Sequence, residues 1–141
     1  MLSFHCPLTP QSYHMLDARA LKDCKDGVVI LNTSRGALID AQALLQGIKE
    51  EKIGAACLDV YEEEAEVFFK DISGKIPRDD VLSGLISMPN VLVTSHQAFL
   101  TKEALEAIAA TTVQNLVLLS KGAACENELF YYFADTKKER V

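Results

Sequence analysis

Four short apolar runs rich in branched residues recur along the chain, Leu2–Phe4, Val28–Leu31, Ile53–Val60 and Val91–Thr94, with helix-spaced segments between them. That rhythm predicts strand, helix, strand. Between the first two runs, 17–24 has the composition of a short helix, ended by Gly27. Between the second and third, a segment opens on Asp40, an N-cap residue, sets Leu44, Leu45 and Ile48 on one face and finishes basic at Lys52, which predicts a helix over 40–52. A shorter helix opens on Asp79 and Asp80 and runs to Ile86, after which Met88, Pro89 and Asn90 make a turn into the last run. The longest helix is predicted from about Thr101 to Lys121, with Leu105, Ile108, Ala109, Thr112, Leu116 and Leu119 spaced for one buried stripe and Gly122 as its stop. The tail carries an aromatic cluster, Phe130–Phe133, expected to pack against a neighbouring domain. Its charged end, Lys137–Arg140, is expected to be solvated and frayed.

Strands that are apolar throughout, rather than alternating, are expected to be covered on both faces, and helical connections favour parallel pairing with right-handed crossovers. The predicted class is therefore α/β: half of a doubly wound parallel sheet, followed by a long C-terminal helix.

Composition narrows the function. A chain of 141 residues, 49% hydrophobic and 24% charged, can bury one core and make one domain. Its 20 acidic residues against 14 basic ones leave a net charge of −6, which repels a phosphate backbone and argues against a nucleic-acid partner. No apolar run approaches the roughly 18–20 residues that cross a bilayer, and Met1 leads into Leu2, Ser3 and Phe4 with no basic region or cleavage site, so no membrane partner and a cytoplasmic location are expected. Cys6, Cys24, Cys57 and Cys125 are too scattered for a Cys-x-x-Cys pair, so neither metal nor disulfide is expected, and only Cys6 stands out by its position.

In an open parallel sheet, ligands bind beyond the carboxyl ends of the strands. The residues there are His5, Cys6 and Pro7 after the first run; Asn32, Thr33, Ser34, Arg35 and Gly36 after the second; Asp59 to Glu64 at the end of the third; and Ser95, His96 and Gln97 after the fourth. The planar fork of Arg35 suits a carboxylate held bidentately, the alternative being a surface salt bridge near a helix start. His96 falls at the rim of the sheet. Glu62, Glu63 and Glu64, with Glu66 beyond, form an acidic run that is ordinarily a solvated face. One of them paired with His96 would favour the protonated imidazole and let it act as an acid near neutral pH. Arg35, Glu64 and His96 together thus form a candidate active site that holds a carboxylate and moves a proton. His5 and His14 are set aside, since neither has an acidic neighbour in sequence.

Three segments, 32–40, 58–64 and 95–101, together with the opening 5–10, resemble the NAD-dependent D-2-hydroxyacid dehydrogenases, and among them the D-lactate type. The likeness runs from residue 2 to about Glu128. It implies that residues 1–100 are the C-terminal half of a Rossmann-type NAD-binding domain, and that 101–141 are a helix and tail returning toward a substrate domain. It implies that Arg35 binds the substrate carboxylate, that His96 exchanges a proton with the 2-oxo oxygen, and that Glu64 is its acid partner. Cys6, Pro7, Thr33, Ser34, Arg35 and Asp59 correspond to the cofactor-binding set, and Phe99 to a wall of the substrate pocket. Ser12 stands where many members carry asparagine. The implied substrate is a small 2-oxo acid such as pyruvate, the implied cofactor NAD, and the implied assembly of the full-length protein a homodimer.

The sequence contains no Gly-x-Gly-x-x-Gly turn to hold a pyrophosphate, and the acid that would read the adenosine ribose has no counterpart. Two expectations follow. One is the catalytic part of an active enzyme whose remaining half lies elsewhere; the other is an inactive remnant serving as a binding or dimerisation module.

Overall fold

The computed structural model describes residues 1–64, 79–133 and 136–140. It divides into two units, Met1–Ala98 and Phe99–Val141.

In the first unit, β1 (Leu2–Phe4), β2 (Val28–Asn32), β3 (Ile53–Leu58) and β4 (Val91–Val93) form a parallel sheet in the order β1-β2-β3-β4. In register, Leu2 faces Ile30, Ile30 faces Ala56 and Ala56 faces Val91. The connections carry α1 (Ala18–Asp23), α2 (Ala41–Lys49) and α3 (Asp80–Ser87), with a 3-10 turn at Gly36–Leu38 ahead of α2. Aspartates start all three helices. Asp17 accepts from the Arg19 and Ala20 N–H groups, Asp40 from Ala43, and Asp79 from Val81 and Leu82, so each satisfies donors that a helix leaves unpaired at its first turn.

The apolar face predicted for α2 is buried: Leu44, Leu45 and Ile48 pack with Ile30, Leu38, Ile53 and Leu85, all four of the latter fully inaccessible. Each such side chain contributes roughly 1.5–3 kcal/mol relative to leaving it in water. Among the described residues of this unit, burial is uneven across the sheet. Val28 and Ile30 are buried, whereas Val29 and Leu31 between them are only partly so, and Leu92 on β4 is 61% exposed. Sequential parallel strands that all advance in one direction through right-handed crossovers place every connecting helix on the same face. α1, α2 and α3 accordingly pack as neighbours with the core, and the other face goes without them.

In the second unit, α4 (Lys102–Ser120) starts where Thr101 accepts from the Ala104 N–H, and it is followed by an antiparallel pair, β5 (Phe130–Phe133) and β6 (Thr136–Arg140). The stripe predicted on α4 exists in sequence but is not buried: Leu105, Ile108, Leu116 and Leu119 are all exposed, Leu119 by 67%. The charged end, expected to fray, is instead paired in backbone register with the aromatic segment, Phe130 opposite Arg140. The packing expected of the aromatic cluster, and the position of Glu66, lie outside what is described.

Candidate active site

The carboxyl ends of β2 and β3 are fixed by two buried polar side chains. Asn32, 1% exposed, closes the loop after β2, with Nδ2 donating to the Arg35 carbonyl at 2.9 Å and Oδ1 accepting from the Ser34 N–H at 3.1 Å. Ser34 Oγ then donates to the Cys6 carbonyl at 2.7 Å, tying the loops after β1 and β2 together. Thr33 and Arg35 are exposed on this loop, and the Arg35 guanidinium donates to the Ser34 carbonyl at 2.7 Å. Gly36 admits a close approach. A Cβ there would fall 2.1 Å from the Tyr61 carbonyl carbon and 2.4 Å from the Glu62 nitrogen, so the arginine loop and the acidic segment pack backbone to backbone only with glycine at this position.

Asp59, 5% exposed, does for the loop after β4 what Asn32 does after β2. Its carboxylate accepts from the Thr94 hydroxyl, and from the Gln97 and Ala98 N–H groups at 2.9 Å each. Burial pushes this carboxyl up, but those hydrogen bonds and the neighbouring His96 outweigh it and hold the group below the ordinary aspartate value. The Asp59 carbonyl also accepts from the His96 N–H at 2.7 Å. His96 is thereby held at φ +54°, a left-handed conformation that a non-glycine residue keeps only when its surroundings insist on it.

Against this loop comes Glu64. Its backbone N–H donates to the Tyr61 carbonyl at 3.3 Å and its Oε2 accepts from the Tyr61 N–H at 3.2 Å, closing a turn that presents Oε1 to His96 Nδ1 at 3.1 Å. Both side chains are partly shielded, His96 34% and Glu64 19% exposed. Tyr61 is buried beneath the turn, where burial first, then Asp79 and the acidic run, push its phenol far above the normal range and keep it neutral.

One sequence expectation is corrected here. His14, set aside for want of an acidic partner, has one: its Nε2 lies 2.5 Å from Glu62 Oε1. The acidic run therefore splits, Glu62 going to His14 and Glu64 to His96, while Glu63 is exposed. Nothing local could have revealed a pairing across 48 positions. Asn32 and Thr94 were legible in principle, as polar residues closing apolar runs. His5 bonds Ser3 at 2.7 Å on β1. Ser12 is spent on its own turn, donating to the Pro7 carbonyl and accepting from the Thr9 N–H, both at 2.8 Å. The four cysteines are unpaired thiols, and among the described residues no group of His, Cys, Asp and Glu could hold a metal. Phe99 opens the second unit.

A cavity of about 780 Å³ between α1 and α2 lies at the amino ends of the strands, away from this chemistry. Its Lys52 is committed to the Cys24 carbonyl and, at 2.8 Å, to Asp26. No helix among the described residues is long and apolar enough to cross a membrane.

A parallel sheet with helical crossovers and an ionisable carboxyl edge is the open α/β arrangement that binds its ligands beyond the strand ends. The sequence profile for "D-isomer specific 2-hydroxyacid dehydrogenase, NAD binding domain" matches residues 1–98, and the chain belongs to that family. It is 54% identical over 129 residues to D-lactate dehydrogenase of Escherichia coli, a match covering 92% of this chain and 39% of that one. Among solved structures it is similar to the pyruvate reductase of Chlamydomonas reinhardtii (TM-score 0.81, 40% identity, 89% of this chain and 39% of that one). It is also similar to an NAD complex of the D-isomer specific 2-hydroxyacid dehydrogenase of Lactobacillus delbrueckii ssp. bulgaricus (TM-score 0.78, 28% identity, 88% and 38%). The chain thus spans about two fifths of the length of the relatives it matches.

Proposed function

We propose that the chain supplies the catalytic, nicotinamide-facing half of an NAD-dependent D-2-hydroxyacid dehydrogenase of the D-lactate type, interconverting pyruvate or a similar small 2-oxo acid with its D-2-hydroxy acid. The observation that carries this reading is the Glu64–His96 pair at the carboxyl edge of a parallel sheet, on the rim that also bears an exposed arginine.

Each residue has a task. Arg35 takes the substrate carboxylate in its fork and lowers the energy of charge developing on the 2-oxo oxygen. His96, protonated, gives its proton to that oxygen in reduction and takes it back in oxidation; Glu64 stabilises the imidazolium and orients the ring. NADH, when bound, supplies the hydride. The donor set here fits the nicotinamide end of the cofactor: Ser34 joins the Cys6–Pro7 and Thr33–Arg35 loops into one continuous rim with the Thr33 hydroxyl exposed on it. Asp59 stands at that end too, and its carboxylate fixes the loop of His96. Phe99 bounds a pocket for a small side chain, and the helix and tail from 101 onward lead toward the substrate domain. Because the pyrophosphate loop lies outside this sequence, turnover needs the matching half, and the assembled protein acts as a homodimer.

The test is a graft. Residues 2–128 replace the corresponding segment of the Escherichia coli relative, and NADH oxidation is followed with pyruvate. Turnover with D-lactate as product is expected. A folded, NADH-binding graft without turnover would return the inactive-module reading.

A further inference from the structure

The acidic run serves two histidines, and only one of them belongs to the proposed chemistry. His14 lies in the turn that follows β1, with backbone φ +48° and its N–H donated to the Ala37 carbonyl at 2.9 Å. Its ring stacks on Tyr13, centroids 3.9 Å apart and planes 16° from parallel. A left-handed backbone at a bulky residue costs roughly 1–3 kcal/mol, so the surroundings hold it there.

What it holds in turn is Glu62. Glu62 Oε1 accepts from His14 Nε2 at 2.5 Å and from the Tyr13 hydroxyl at 3.3 Å, while Oε2 accepts from the Ala41 N–H, at the start of α2, at 3.4 Å. The backbone nitrogen of the same residue rests on Gly36. Glu62 is therefore gripped from the loop after β1, the arginine loop and the first turn of α2. Asp40 and Glu63 add negative charge around Tyr13. Two residues on is Glu64, in a turn closed onto Tyr61. The path from His14 to Glu62, through the Tyr61 turn to Glu64 and on to His96, is one continuous set of short contacts.

We propose that His14 is a positioning residue: by holding Glu62 it fixes the Tyr61–Glu64 turn, and so sets the Glu64 carboxylate against His96. This rests on the reading of Glu64 and His96 as the proton-handling pair. It predicts that a residue touching neither substrate nor cofactor controls how well that pair is made.

The test uses the 141-residue chain itself and reads the imidazole N–H proton of His96 by 15N-resolved NMR. His14→Phe keeps the ring stack and removes the donor. It is expected to quicken exchange of the His96 proton with water about tenfold, as a weakened hydrogen bond to a charged group should, whereas His14→Gln, which keeps a donor, restores slow exchange. Glu62→Gln, a change of little volume, weakens the same signal and serves if His14→Phe does not fold. Glu64→Gln, whose neutral amide oxygen is a weaker acceptor, is the reference and should lose the most protection. If Glu64→Gln lowers it while His14→Phe and Glu62→Gln leave it intact, the positioning role is wrong and the Glu64–His96 pair stands. If Glu64→Gln itself changes nothing, the pair is wrong and the positioning role falls with it.

Discussion

His14–Glu62 and His96–Glu64 are two versions of one device, a left-handed histidine meeting a glutamate from the same acidic run, at 2.5 and 3.1 Å. The difference lies in what surrounds them. His14 is stacked on Tyr13, and its glutamate is shared with a tyrosine hydroxyl and a helix N-terminus. His96 stands on a loop whose backbone is fixed by a buried carboxylate, and its partner glutamate also accepts from the N–H that closes its own turn. Spacing in sequence cannot distinguish the two. Their places in the fold can: the first pair ties three segments together, and in the proposed chemistry the second, on the rim with the exposed Arg35, is the one that exchanges a proton.

That division can be broken most sharply in the grafted enzyme. His96→Gln should lower kcat for pyruvate reduction about 1000-fold, the usual worth of a general acid, while His14→Gln, which keeps a donor to Glu62, should lower it no more than a few-fold. Comparable losses from the two would erase the distinction.

Next in size is the support beneath His96. Asp59→Asn leaves the Thr94 hydroxyl and two N–H groups facing a weaker acceptor and should destabilise the Met1–Ala98 unit by about 3 kcal/mol, measured by denaturant unfolding. The sign with pH is fixed by the lowered carboxyl. Because the folded value lies below the unfolded one near 3.9, the contribution is fully present above about pH 4 and is lost as pH falls through the folded value. The wild type should lose stability on acidification more steeply than Asp59→Asn. A parallel pair of acid curves would count against this role.

Arg35→Lys keeps the charge and loses the fork, and should cost about 100-fold in kcat/KM with most of it in KM for pyruvate. An unchanged KM would mean that the substrate carboxylate is held elsewhere. Smallest is Ser34→Ala. Losing the bond to the Cys6 carbonyl should cost about 1 kcal/mol of stability, and a thermal melt shifted by no more than error would show that the first two loops are joined by other means.

The sheet was legible because its signals are local. Branched apolar runs made the strands, and Asp17, Asp40 and Asp79 announced helix starts that the backbone uses. The edge was legible for the same reason, since polar residues ending an apolar run in a parallel sheet gather on one rim. What the sequence did not show is non-local. The strand order β1-β2-β3-β4 is one such feature, since periodicity does not encode which strands become neighbours. The 3-10 turn at Gly36–Leu38 sits where Gly36 meets Tyr61 and Glu62, a contact set by tertiary packing. The exposed stripe of α4 shows the same limit from the other side: a 3.6-residue apolar repeat says that a face is suited to burial, not what covers it.

The central claim is that Glu64 and His96 act as a unit, and a double-mutant cycle on kcat in the grafted enzyme tests it most directly. Glu64→Gln and His96→Gln are each expected to lower kcat, and the double variant to be no slower than His96→Gln alone, because a carboxylate that works through the imidazole has nothing left to do once the imidazole is gone. Losses that multiply in the double variant would show that Glu64 acts independently of His96, and the account of this edge as a paired proton-handling site would be wrong.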